Sequence, residues 1–242
     1  MDKTIPISDN QKVFIANGIF RAINQDLPEI IYENNLPTTV GSGLFRWNFV
    51  NRNLSDALCG DFETCIQSRG SWKLLLLRDK NTNLSFSIMS EKNFQKLQRS
   101  SSENIHYLEA LICANKTRKP LVKQISLFKV QKQKSYSVLE TLRNQLLSNF
   151  SEIVDEHVLI LFDYNYMGII SVRAVLLTPK MEIALSDDWS IHLKSTYISE
   201  KSLLKLVSDD DNDVFAKLKP QFDDANKSIV EPLKEDDSKY DN

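Results

Sequence analysis

Four groupings of residues in this chain have types and spacings that do chemistry. Asp61, Glu63 and Lys73 place two carboxylates and an ammonium beside apolar, alternating runs. Such a trio can bind Mg²⁺ and activate water for phosphodiester cleavage. A nuclease of this kind sets carboxylate and lysine two residues apart on one strand, so that both face the same ion. Here Glu63 and Lys73 are ten positions apart, and solvated charges at sheet ends account for them equally simply. The second grouping is Phe45, Arg46, Trp47, Asn48, Phe49, Val50, Asn51, Arg52, Asn53 and Leu54. Guanidinium forks at Arg46 and Arg52 suit phosphates, and the aromatics suit base stacking. The alternative is a helix that sends Trp47, Val50 and Leu54 into a core. On either reading the arginines are expected to be partly exposed and Trp47 buried. The third grouping is the three histidines, His106, His157 and His192, which are dispersed and form no HxxxH pair. His106, beside Tyr107 and Glu109, reads as a site or as an exposed helix-face residue. The fourth is a run of seven basic residues and no acid: Lys116, Arg118, Lys119, Lys123, Lys129, Lys132 and Lys134. Its one apolar plug is Gln124, Ile125, Ser126, Leu127 and Phe128. A basic connector with such a plug reads as a docking peptide, or as a strand that covers the core. Lys119 and Lys123 beside it join Arg46 and Arg52 as candidate contacts to nucleic acid.

No P-loop, GxGxxG or GxSxG occurs, and the six glycines leave few phosphate-cradling loops. Asp163, Asp187 and Asp188 are turn or paired carboxylates with local hydrogen-bonding uses. The sequence assigns no catalytic residue, no metal ligand and no cofactor, and gives weak support to any enzyme.

The chain has 242 residues, 42% hydrophobic and 26% charged, with a net charge of −2. That is the composition of a soluble globular protein, with no global charge to attract nucleic acid or membrane. Three cysteines without a CxxC pair fit a reducing cytoplasm. The start lacks a basic segment followed by an apolar run, and no apolar run is long enough to span a bilayer. A cytoplasmic protein without membrane contact is the expectation.

The elements that must position these residues follow from periodicity. Ser8, Asp9 and Asn10 can cap a helix over 9–24, and 29–33 continues as a short helical piece. Alternation at 62–67, 72–78 and 84–89, with turn residues at 79–83, predicts a three-stranded antiparallel meander. Helices follow over 91–98 and 105–113. Beyond the basic run, a helix over 136–150 has Val138, Leu139, Leu142, Leu146 and Leu147 on one face. Strands at 158–162, 169–177 and 182–185 make a second meander. The predicted fold is α+β: antiparallel meanders, in one sheet or two, covered by helices on one side, with an exposed basic connector in the middle. The parts are residues 1–115, the connector 116–135, residues 136–207 packed with the first part as one unit, and an acidic tail at 208–242.

The residues Gln124, Ile125, Ser126, Leu127 and Phe128 resemble the QLSLF-type motif by which bacterial polymerases and repair proteins dock on the DNA sliding clamp. In such complexes Leu127 and Phe128 would fill an apolar pocket, with Gln124 and Ile125 at its rim. More broadly, FRWNFVNRNL, RGSWKLLLL, SIMSEKNF, IHYLEAL, QISLF, HVLILFDYN and VLLTP together resemble an uncharacterised family of low-GC Gram-positive bacteria and their phages. The resemblance covers residues 8–190, leaves the chain after Thr196 outside, and implies a source and a fold pattern but no reaction. The leading expectation is a non-enzymatic interaction protein of a phage or mobile element that engages the host sliding clamp. The alternatives are a nucleic-acid-acting enzyme or toxin, such as a metal-dependent nuclease, and a nucleic-acid-binding protein.

Residues 208–242 carry eleven Asp/Glu against five Lys, together with Pro220 and Pro232. Such a segment buries too little apolar surface to offset its ordering entropy. Truncation after Val207 is therefore expected to leave the thermal unfolding midpoint within about 5 °C of the full chain; a larger drop would mean that the tail packs on the fold.

Overall fold

Two runs, residues 74–77 and 158–162, are apolar at every position. A strand of that kind must be covered on both faces. The computed structural model, which describes residues 4–35, 41–58, 60–69, 72–100, 104–116 and 135–193, shows that arrangement. A six-stranded sheet runs in the order β1-β2-β3-β4-β5-β6. Its strands are β1 (Phe62–Arg69), β2 (Trp72–Asp79), β3 (Ser85–Ser90), β4 (His157–Asn165), β5 (Gly168–Leu177) and β6 (Ile183–Asp188). All neighbours are antiparallel except β3 and β4, which pair in parallel over six rungs from Ser85↔His157 to Ser90↔Phe162. The α+β class holds, and the two meanders share one sheet.

Helices cover both faces rather than the one expected. On the first lie α1 (Asp9–Arg21), a π-helical turn (Ala22–Asp26), α2 (Leu27–Glu33) and α3 (Ser42–Ala57). Ile15, Ile19, Val50 and Leu54 pack there against Leu75, Leu77, Phe86, Ile160 and Ala174. On the second lie α4 (Glu91–Arg99), α5 (Tyr107–Ile112) and α6 (Tyr136–Leu147). Phe94, Leu108, Leu111 and Leu146 pack there against Leu74, Leu76, Leu159, Leu161 and Val175. Successive residues of β2 and β4 thus enter different cores. Each buried large aliphatic side chain contributes about 1.5–3 kcal/mol of gross transfer free energy. Among the described residues no helix is long and apolar enough to cross a membrane.

Local chemistry fixes the helix starts. Ser8 and Gln11 form a reciprocal capping box on α1. Ser90 caps α4 through the Asn93 amide. The first helix departs from the expected 9–24 span: its α-helical part ends at Arg21 and the π-turn carries it into α2. The α6 helix ends at Leu147, three residues early, and of its five expected core residues only Leu146 is fully buried. Leu139, Leu142 and Leu147 are partly buried against the second core, and Val138 is exposed.

Two buried polar groups lock the sheet. Arg78 is 2% exposed. It donates to Glu63 Oε2 at 2.8 Å, Asn83 Oδ1 at 2.6 Å, Glu152 Oε2 at 3.1 Å and Ser151 Oγ at 3.0 Å. The Arg78 and Ser151 hydrogen bonds hold the Glu63 carboxyl down at about 2. His157 is fully buried where the parallel ladder begins. Ser85 Oγ lies 2.8 Å from its Nδ1 and Ser87 Oγ 2.9 Å from its Nε2. Asn115 accepts from the His157 amide at 2.7 Å and donates at 2.9 Å to both the His157 and Leu177 carbonyls.

Burial lowers the His157 pKa from 6.5 to about 3, and the Arg143 charge pushes it the same way. The unfolded chain therefore binds a proton between those values that the folded chain refuses. The stability contributed is full above pH 6.5 and is lost as pH falls towards 3. Glu63 adds loss only below about 4.5, the ordinary value of its carboxyl, so the window from pH 6.5 to 4.5 separates the contribution of His157 from that of Glu63. Thermal midpoints of the wild type are expected to fall across that window, and those of His157→Gln to be lower but flatter. A flat wild-type profile would contradict the buried neutral imidazole.

Candidate functional site

The proposed docking residues Gln124, Ile125, Leu127 and Phe128, and the flanking Lys119 and Lys123, lie outside the described residues. Their described neighbours on either side are fixed to the fold. Before them, the Lys116 amide donates to Glu156 Oε1 at 2.9 Å, one residue beyond the buried Asn115. After them, Ser135 leads directly into α6.

Residues 42–57 form the helix that the aromatic stripe predicts, and the two arginines diverge. Arg46 was expected partly exposed; it is 9% exposed. It donates from Nη1 to the Tyr164 hydroxyl at 2.7 Å, and its guanidinium carbon lies 4.2 Å from the Tyr164 ring centroid. The reason is a tertiary partner from the end of β4, which takes up the charge that a sequence reading sends to solvent. Arg52 is exposed, as expected. Its Nη2 lies 3.0 Å from Asp26 Oδ2, its Nε donates to Asn53 Oδ1 at 3.3 Å, and its guanidinium carbon lies 5.0 Å from the Phe49 ring.

Trp47, expected buried, is half-buried. It makes edge contacts with Trp72 at 6.3 Å and Phe162 at 5.7 Å. Phe162 stacks on Tyr164, and Trp72 leans on Tyr107, which meets His106 at 4.3 Å. This aromatic chain crosses the sheet at the carboxyl ends of β3 and β4. Glu91, at the start of α4, closes part of that edge by a two-point pair with Arg173 at 2.7 and 3.2 Å.

The nuclease trio is not brought together. The β1–β2 register sets Glu63 opposite Arg78 and Lys73 opposite Ser68. Five rungs separate the two pairs, roughly 17 Å at strand rise. Glu63 is occupied by Arg78 and by the Ser151 hydroxyl and amide, and Lys73 donates to Ser68 Oγ at 2.6 Å. Among the described residues no three His, Cys, Asp or Glu side chains are grouped as a metal site. His106 is not on the face of a helix: it is the N-cap of α5, accepting from the Leu108 amide in a capping box with Glu109.

What the sequence reading missed is Asp26. It ends the π-turn, 7% exposed, and gathers three donors. Asn53 Nδ2 lies at 2.7 Å, Arg52 Nη2 at 3.0 Å and Arg21 Nε at 3.3 Å. The wider π-turn rotates Asp26 toward α3; short π segments recur at functional sites for this reason. Beside it, Asn24 accepts from the Ile169 amide at 3.0 Å, at the tip of the β4–β5 hairpin. A bulge leaves Ile170 as the extra residue of β5 and turns it outward. No spacing rule predicts these contacts. A π-turn inside a helical pattern has no sequence signature of its own.

A family model described as a family of unknown function (DUF5986) matches residues 4–232, and the chain belongs to that family. No curated protein and no solved structure matches it. The match extends the resemblance beyond the 8–190 span expected from motifs, so the segment after Thr196, expected to fall outside the family, is inside it as far as residue 232.

Gly168 holds φ at +120°, and an added Cβ there would run into the Asn24 side chain. Gly168→Ala is therefore expected to cost about 1–3 kcal/mol of stability and to release the hairpin tip from the π-turn. Denaturant titration measures the loss. An unchanged midpoint would show that the hairpin and the π-turn are not coupled.

Proposed function

We propose that this member of the DUF5986 family is a non-enzymatic, cytoplasmic interaction protein that docks on the bacterial DNA sliding clamp. Gln124, Ile125, Leu127 and Phe128 make the contact, and the protein serves a phage or other mobile element that engages host replication. The observation that carries this reading is the pentapeptide match itself, set among Lys116, Lys119, Lys123 and Lys129 without a neighbouring acid. Flanking lysines speed encounter with an acidic partner surface. The fold adds support of a limited kind. The described residues on either side of the stretch, Asn115 and Lys116 before it and α6 after it, belong to one body, so a peptide there is tethered at both ends.

A second reading, nucleic-acid binding, is favoured by one observation: Arg52 keeps its guanidinium at the surface beside Phe49. The nuclease alternative loses its support, because Glu63 and Lys73 sit at opposite ends of a hairpin with partners of their own.

Burying Leu127 and Phe128 in a pocket contributes roughly 3–6 kcal/mol gross. Ordering the stretch offsets part of that, so micromolar affinity is expected. The double substitution Leu127→Ala with Phe128→Ala is expected to abolish binding to purified clamp while leaving the thermal midpoint in place. If these side chains instead cover the core, the wild type will not bind and the double variant will lose several kcal/mol of stability. Undetectable wild-type binding at tens of micromolar clamp would sink the proposal.

A further inference from the structure

The strongest unassigned cluster in the fold is the pair of arginines gathered by Asp26. Asp26 ends the π-turn, and its carboxylate is nearly buried while both guanidinium groups face water: side-chain exposure is 7% for Asp26, 62% for Arg21 and 50% for Arg52. Asn53 holds the carboxylate from below at 2.7 Å and is itself tied to the Gly18 carbonyl at 3.3 Å. One carboxylate thus anchors two cations from two different helices. The group as a whole carries one net positive charge. Without Asp26, two guanidinium groups at this separation would repel one another.

The anchoring also orients the arginines. Arg21 spends only its Nε on Asp26, and both of its Nη groups have no acceptor among the described residues. Arg52 spends Nη2 and Nε, which leaves Nη1. The free donors of a guanidinium match the oxygens of a phosphate in a planar, two-point fashion. A surface ion pair formed for stability would use those donors on the carboxylate.

A second, independent observation lies on α3. Phe45, Phe49 and Arg52 are spaced i, i+4, i+7 and share one helix face. Phe45 is 37% exposed, and Phe49 lies under the Arg52 guanidinium at 5.0 Å. An exposed aromatic two turns along the helix from a paired arginine site is an arrangement that takes a base by stacking while the backbone is held by charge. A duplex keeps its bases stacked on one another and offers no free face to Phe45.

We propose that Arg21 and Arg52, organised by Asp26, bind the phosphodiester backbone of a single-stranded nucleic acid whose adjacent base stacks on Phe45. This deepens the nucleic-acid reading above and is independent of clamp docking. Arg46, which the sequence suggested for the same task, is not part of the site, because it is buried against Tyr164.

The test is fluorescence anisotropy on the full chain, with labelled single-stranded DNA, single-stranded RNA and duplex DNA of mixed sequence, over a range of salt concentrations. The wild type is expected to bind single strands more tightly than duplex, with affinity falling as salt rises. Arg21→Ala with Arg52→Ala is expected to reduce the salt slope by about 1.4, the share of two phosphate contacts on a single strand. Arg21→Lys with Arg52→Lys, which keeps both charges, should retain the slope and serves as the control for folding alongside a thermal melt. Phe45→Ala should weaken binding about tenfold and leave the slope unchanged. Three outcomes overturn the proposal. Absence of salt-dependent binding by the wild type removes the nucleic-acid reading and this site together. Binding that survives the double alanine substitution intact moves the contact to the basic run after Lys116 and removes this site alone. Equal or tighter binding of duplex removes the single-strand assignment.

Discussion

The parallel pairing of β3 with β4 is the constraint on which the rest of the structure depends. Two antiparallel meanders can each form from neighbouring segments, but a parallel pair needs a crossover long enough to return the chain to the same end of the sheet. Here the crossover contains α4, α5, the basic run and α6, and it lays all three helices on one face. The opposite face is then left to α1, α2 and α3, which precede the sheet in sequence. On its β4 side the seam is polar only at the first rung, where the His157 ring meets Ser85 and Ser87 of β3. A buried imidazole with both nitrogens satisfied is tolerated, and it allows one pairing only. Sliding β4 by one residue would strand the ring and exchange the two cores.

Arg78 plays the complementary part on β2, opposite Ser85 at the same end of the sheet. Its four acceptors come from β1, the β2–β3 turn and the loop before β4. A buried ion pair of this kind adds little net stability over a well-packed apolar substitute, since desolvation offsets the attraction. Its effect is on geometry. It ties the start of the second meander to the first, and it engages Glu63, the residue on which a hydrolytic reading of the sequence would have to rest.

Much of the fold was legible in the sequence because local rules decide it. Alternation and turn residues gave both meanders, and Ser8 marked the start of the first helix through its own hydroxyl. The doubly covered sheet was also legible in principle, from the unbroken apolar runs of β2 and β4, although a single covering layer was expected. Arg46 and Asp26 were not legible. The partner of Arg46, Tyr164, is 118 residues away in sequence, and no periodicity carries that information. Asp26 becomes a hub because it ends a π-turn, whose wider turn shifts the face on which it sits, and Asn53 and Arg52 meet it from another helix. The docking peptide was read from residue identity alone, so the fold bears on it only through the anchors at Lys116 and Ser135.

The strand order follows the sequence without a single exception, and this has a consequence for how the chain reaches its native state. Four of the five strand pairs close short loops, and the entropy of closing a loop rises only slowly with its length. The β3–β4 seam is the exception: its strands are separated by the whole crossover. Non-local contacts of this kind slow folding more than any other, because the chain loses freedom before the contact returns anything. Until the seam closes, the apolar edge of β4 is an open strand edge, the type of surface that pairs with other chains. Folding speed and freedom from aggregation thus converge on the same six rungs, and slower closure there would be felt first as lost solubility rather than as a lower melting point.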